Sequence, residues 1–298
     1  MFSTGGMWPF SPDSYRNAAA ALAVRSDILR WVPPQIVLSA ARQCVTAVLS
    51  AANGQLTAAY LHGSAVLGSW TPRSDVDLLL VVPDDLDDLN PVAAALARSA
   101  FPGGGLECSV VSERQAAAAA DAPWPFLLHA AADAAGEPRI VGGAGHPGDR
   151  DLLMHYAVCR AAGYAVHGPA PAELIGEVPR PAILGYLADE MDWALAHGTE
   201  PYVVLNACRA LVYCREDEIV SKVAGGQEVL RRGLGPAALI TRALDQQLGR
   251  RDIGPPSAEA RKFALATAAL LRDGVRTREA RPREAGRGRE AGRTGEAG

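Results

Sequence analysis

The sequence predicts an α+β protein in two parts. A domain with a mixed sheet and helices comes first, and an all-α helical bundle follows. Three observations carry this reading. With 298 residues, the chain is about twice a typical single domain. Hydrophobic residues make up 49% and charged residues 21%, so a sizeable core can form. Apolar runs of strand length lie before about residue 147, whereas only helix-length patterns follow it.

The elements follow in order. Residues 1–33 read as an N-terminal extension with one helix over Ser14–Leu29, ending at Pro33-Pro34. Gln35–Ala52 has apolar residues on one helical face and stops at Asn53-Gly54. Leu56–His62 reads as a strand. Val76–Val82 is almost continuously apolar, as a strand buried on both faces is. A helix over Pro91–Ala100, a strand over Leu106–Ser112, a helix over Arg114–Ala122 and a strand over Pro125–Ala130 complete residues 34–147, the first domain. Residues 148–275 form the second. Its helices are Asp149–Ala162, Pro181–His197, Pro201–Arg215, Gly225–Arg232, Pro236–Leu248 and Ser257–Gly274, punctuated mostly by Pro or Gly. Residues 276–298 repeat REAGR, lack large apolar residues and read as a disordered tail.

Charge is unevenly placed. The tail holds seven Arg and four Glu, so a net −4 conceals a body of −7. An acidic body argues against a non-specific nucleic-acid binder and accords with a cationic substrate. The five scattered cysteines, with no CxxC, predict a reducing cytoplasm without disulfides or structural zinc. No run is long enough to span a membrane, and the N-terminal residues lack the pattern of a secretory signal. The six histidines form no HxxxH pair and read as structural or surface groups.

One segment carries chemistry. A strand ends at His62, and Gly63-Ser64 turns into a short helix. Ser74-Asp75-Val76-Asp77 then enters the buried strand. Asp75 and Asp77 are two residues apart on an extended chain, so both point to one face. Adjacent carboxylates repel, and a divalent cation with a preference for hard oxygens, Mg²⁺, relieves that. Gly63 allows close backbone approach, and Ser64 adds a hydroxyl and an N–H at a helix start, a cradle for phosphate. Glu107 is a charge among apolar residues on the next strand. Beside the two aspartates it is a third metal ligand or a general base.

These residues resemble the nucleotidyltransferase superfamily with the polymerase-β-like fold. More narrowly, residues 38–275 resemble the aminoglycoside (3'')(9) adenylyltransferases. That family's Tyr-Gly-Ser turn and Ser-Asp-Ile-Asp-Leu-Leu strand stand here as His62-Gly63-Ser64 and Ser74-Asp75-Val76-Asp77-Leu78-Leu79. Asp151-Leu152, Val166-His167-Gly168-Pro169 and Val203-Val204-Leu205-Asn206-Ala207-Cys208-Arg209 resemble segments of its helical half, and Ser221-Lys222 matches a lysine that touches ATP phosphates. The resemblance implies transfer of AMP from ATP, with two Mg²⁺ ions, to a small acceptor of streptomycin or spectinomycin type. It implies Glu107 as catalytic base, Asp75 and Asp77 as metal ligands joined by Glu107, and Gly63, Ser64, Ser74, Asp151, Arg209 and Lys222 as nucleotide-binding residues. A monomer that binds neither membrane nor nucleic acid is expected.

The acceptor half departs from the family. A tyrosine that stacks near the nucleotide is replaced by Gln247 or nothing, and the drug-contacting Trp has no counterpart after Trp124. Trp193, preceded by Asp189, Glu190 and Asp192, reads as a core residue, with an aromatic–acidic acceptor surface as the alternative. Two other functions are compatible with the pattern: adenylyl transfer to a protein hydroxyl or a metabolite, and nucleotide binding without catalysis.

Overall fold

A computed structural model describes residues 32–133, 138–251 and 253–279. The helix expected over Ser14–Leu29 and the tail beyond residue 279 lie outside these residues. The described residues from Pro33 onward form one compact unit. Its centre is a six-stranded mixed sheet in the order β5-β4-β3-β2-β1-β6. The strands are β1 (Ala58–Leu61), β2 (Asp75–Val82), β3 (Gly105–Ser112), β4 (Leu128–Asp133), β5 (Arg139–Gly142) and β6 (Tyr164–His167). Among the described residues only β2 and β3 pair in parallel, joined by the crossover helix α3 (Asn90–Arg98). The other pairs are antiparallel.

The two faces of the sheet explain the near-continuous apolar run of β2. Leu78, Leu80 and Val82 point into one core with α1 (Gln35–Ala51) and α3. Leu79 and Val81 point the other way, into a smaller core with Tyr60, Val111, Leu152 and Tyr156. Period-two alternation places Asp75 and Asp77 on the face of Leu79 and Val81. The same alternation puts Glu107 on the face of Val111.

The helical half is α7 (Arg180–His197), α8 (Glu200–Glu216), α9 (Lys222–Arg231), α10 (Ala237–Gln247) and α11 (Ala258–Glu279). Prolines set the first turns of α7 and α8, where no helical N–H is lost. Among the described residues no helix is long and apolar enough to cross a membrane.

Several expected elements shift. β5 and β6 were not expected, and β6 joins β1, so the sheet draws a strand from beyond residue 147. Helix α4 (Glu113–Ala117) stops five residues short of the expected Ala122. Pro123 disfavours the helical conformation for Ala122, so the expected helix could not have run cleanly to that residue. That strand begins at Leu128, three residues later than expected. Helix α9 starts at Lys222 rather than Gly225, because the Ser221 hydroxyl accepts the Ala224 N–H and caps it. Helix α11 continues to Glu279, four residues into the segment read as a tail.

Candidate active site

The parallel register sets the acidic wall of the site. Asp75 stands opposite Gly105 and Asp77 opposite Glu107, so the two acidic side chains at the latter pair are lateral neighbours on one face. The Gly63 backbone packs on the Asp77 carboxylate. At φ +62° it lies in the left-handed region, and a Cβ there would sit 1.8 Å from Asp77 Oδ2. Gly104 makes the equivalent approach to Asp75, with a Cβ position 2.4 Å from its Oδ1. The Gly104 N–H also donates to the Ser74 carbonyl, tying the β2 entrance to the loop before β3. The Ser74 hydroxyl accepts from the Thr71 N–H and shares a hydrogen bond with the Thr71 hydroxyl, so it closes that turn.

The carboxylates are electrostatically stressed. Burial, then Glu107, pushes Asp75 above its ordinary range, with Lys222 opposing. Burial, Glu107 and Asp75 push Asp77 well above it, against relief from Lys222 and the Ser64 N–H. Among the described residues no three His, Cys, Asp or Glu side chains converge to hold a metal unaided. Mg²⁺ sites commonly use only one or two carboxylates and take the remaining oxygens from water and substrate phosphate. Asp75 and Asp77, with hard oxygen donors and an unmet need for positive charge, fit that chemistry.

The opposite wall comes from the helices. Helix α5 (Asp151–Ala162) brings Asp151, His155 and Val158, spaced i, i+4, i+7 on one face. Helix α7 brings Tyr186 and Glu190, α8 brings Tyr202 and Arg209, and α9 opens with Lys222. The Tyr186 hydroxyl donates to Asp151 at 2.9 Å, and the Tyr202 hydroxyl donates to Glu190 at 2.5 Å. The Lys222 ammonium rests 4.4 Å from the Tyr202 ring centroid. Burial, then Arg209, lowers Lys222 to about 8, with Glu190, Asp77 and Asp75 opposing. Arg209 lines the cleft, and its Nε is buried without a hydrogen-bond partner among the described residues, a cationic donor left unsatisfied.

Between the walls lies a cleft of about 390 Å³. All nine expected site residues line it: Gly63, Ser64, Ser74, Asp75, Asp77, Glu107, Asp151, Arg209 and Lys222. Gln247 lines it as well. The sequence reading missed His62, His155, Tyr186 and Tyr202 as cleft residues. For Tyr186 and Tyr202 the signal was present: each faces the cleft at helical spacing with a charged cleft residue, Glu190 four residues on and Arg209 seven residues on.

Beside the cleft a second pocket of about 270 Å³ is lined by Arg150, Asp151, Tyr186, Asp189, Glu190, Trp193 and Tyr202. Four of these also line the first. Trp193 is 51% exposed here, which overturns its reading as a core residue. It stacks against His197 and Tyr202 at the rim, where an aromatic ring meets both helix and solvent.

Two cations facing carboxylates of parallel strands across one cleft are the charge pattern that a nucleotidyltransferase needs. The nucleotidyltransferase domain model matches residues 42–117, the segment from α1 to α4. The model described as "Aminoglycoside adenylyltransferase, C-terminal domain" matches residues 173–269. The two models match the two halves in order, so the first half is similar to nucleotidyltransferase domains and the helical half to the C-terminal domain of aminoglycoside adenylyltransferases. Among solved structures, spectinomycin adenyltransferase AAD(9) from Enterococcus faecialis, determined with ATP and spectinomycin, shares the fold. The TM-score is 0.52 at 16% identity, over 78% of this chain and 97% of that one. No curated protein matches the sequence significantly.

Proposed function

We propose that the enzyme transfers AMP from Mg-ATP to a hydroxyl of a small cationic acceptor of aminoglycoside type. One observation carries the reading: the acidic triad of the sheet and the two cations of the helices face each other across a single cleft. Asp75 and Asp77 would hold Mg²⁺. Bound there, the metal supplies charge stabilisation to the entering oxygen and the leaving pyrophosphate. Gly63, Ser64 and the Ser74 turn position the triphosphate on one side, while Arg209 and Lys222 neutralise it from the other. Glu107 accepts the proton of the acceptor hydroxyl as that oxygen bonds to the α-phosphorus and the bond to pyrophosphate breaks.

The second pocket supports the acceptor class. Asp151, Asp189 and Glu190 with Tyr186, Trp193 and Tyr202 offer carboxylates and aromatic faces, which suit ammonium or guanidinium groups on rings. AAD(9) was solved with an acceptor of this type. All five cysteines are free and four are buried, in keeping with a reducing compartment, where we place the enzyme.

The test is incubation with Mg-ATP and either streptomycin or spectinomycin, read by mass spectrometry and pyrophosphate release. An adenylylated drug is expected, and Asp77→Ala should abolish it. Pyrophosphate release with other hydroxyl acceptors and no drug product would reassign the acceptor. Full activity of Asp77→Ala would overturn the mechanism.

A further inference from the structure

His155 sits on α5 and lines the cleft. Its Nε2 lies 3.9 Å from Glu107 Oε1, and its side chain is mostly buried. Its Nδ1 is buried with no hydrogen-bond partner among the described residues. Its ring packs on His62, with centroids 4.7 Å apart. His62 is itself buried and held neutral, its affinity for a proton lowered first by burial and then by His155.

These facts fix which nitrogen of His155 carries hydrogen. A buried N–H left unpaired costs more than a buried acceptor lone pair left unpaired. Nδ1 has no acceptor to serve, so the hydrogen belongs on Nε2, the nitrogen facing Glu107. A gap of 3.9 Å is too long for a direct hydrogen bond. It is the right width for one oxygen about 2.8 Å from each group, meeting them near a right angle. A hydroxyl has one proton and two lone pairs to distribute. It can give the proton to Glu107, accept from His155, and keep the second lone pair for phosphorus.

We propose that His155 and Glu107 bracket the acceptor hydroxyl, with His155 as the donor that orients its oxygen for attack. This rests on the adenylyl-transfer reading above. His155 forms no covalent bond to the substrate in the reaction. It fixes which lone pair points at the α-phosphorus, while the proton goes to Glu107 and the leaving group is pyrophosphate. His62 is the platform that holds the imidazole in place.

Two measurements test the proposal. The first needs only the protein. Nitrogen-15 NMR of the histidines at pH 8, with the His155 signal identified by its loss in His155→Gln, should show the proton on Nε2. A proton on Nδ1 overturns the proposal. The second uses Mg-ATP and spectinomycin as the probe. His155→Leu should lower kcat about tenfold, the worth of one well-placed hydrogen bond, with KM for ATP within twofold of wild type. His155→Gln, which returns an N–H near the same position, should recover most of the loss. In a Glu107→Gln background His155→Leu should cost little more, because the bracket is already broken. Unchanged kcat in His155→Leu, with wild-type melting temperature, overturns the proposal. If wild type transfers nothing to spectinomycin, the acceptor reading has failed, and the NMR result alone decides the role of His155.

Discussion

Gly63 is the residue at which local conformation and chemistry meet. Its positive φ and the 1.8 Å approach of a built Cβ to Asp77 Oδ2 leave no room for a side chain. Gly63→Ala must either move the turn or rotate the carboxylate, and displacements of about 1 Å at reacting groups cost about 100-fold in rate. A kcat loss of about that size is expected, with far-UV circular dichroism unchanged, since the turn follows a short buried strand that it does not build. Activity within fivefold of wild type would mean that Asp77 does not need this packing. The glycine was legible because it stood in a pattern: strand, Gly-Ser, then two aspartates with period-two spacing. His155 was not. A single histidine on an apolar helix face reads as a packed core group, and only the fold shows that α5 turns that face toward Glu107.

At the scale of elements, the helical half hangs on the first turn of α8. Glu200 is 5% exposed, and its carboxylate accepts from Arg242 Nε of α10 at 2.6 Å and from the Ser257 N–H before α11 at 3.1 Å. One side chain therefore ties three helices. The Arg242 hydrogen bond, ahead of the Ser257 contacts, holds the carboxyl below its ordinary range. A lowered folded value means that the stabilisation is complete above the unfolded value of about 4.3 and is lost as pH falls through the folded value. Glu200→Ala should destabilise the protein by about 1–3 kcal/mol near neutrality, since Arg242 stays partly solvated. The gap between variant and wild type in urea midpoints should close at acid pH. A gap that stays constant from pH 7 to 3 would show that the ion pair is not its source. The helices of this half were legible because Pro and Gly mark their ends. The edge strands were not, because β5 and β6 are four residues each, flanked by Gly and without alternation. Strands that short are defined by their neighbours in the sheet.

At the scale of the molecule, the cleft is where the carboxylates of the sheet meet the two cations, Arg209 and Lys222, of the helical half. The order of the mixed-sheet and helical halves was legible, as was the set of nine residues that the fold gathers around one cleft. The closure of the sheet by β6 and the rim around Trp193 depend on how distant segments pack, and no local pattern encodes that. The clearest consequence of the arrangement concerns Lys222, one of only two lysines in the chain. Burial and Arg209 bring it down to about 8, so in the free enzyme at pH 8 it is about half charged. Between that value and the unfolded value of about 10.4 the unfolded chain binds more protons, so stability should rise with pH across the window. A triphosphate placed against Lys222 favours the charged form. Binding ATP at pH 8 should therefore take up about half a proton, and affinity should weaken as pH rises further. Calorimetry in two buffers of different ionisation heat measures the uptake directly. Lys222→Met should remove most of it, weaken ATP binding about tenfold or more, and leave the fold at least as stable, because a buried charge has been removed. Proton uptake that persists in Lys222→Met would assign the titration to another group and detach Lys222 from the phosphates.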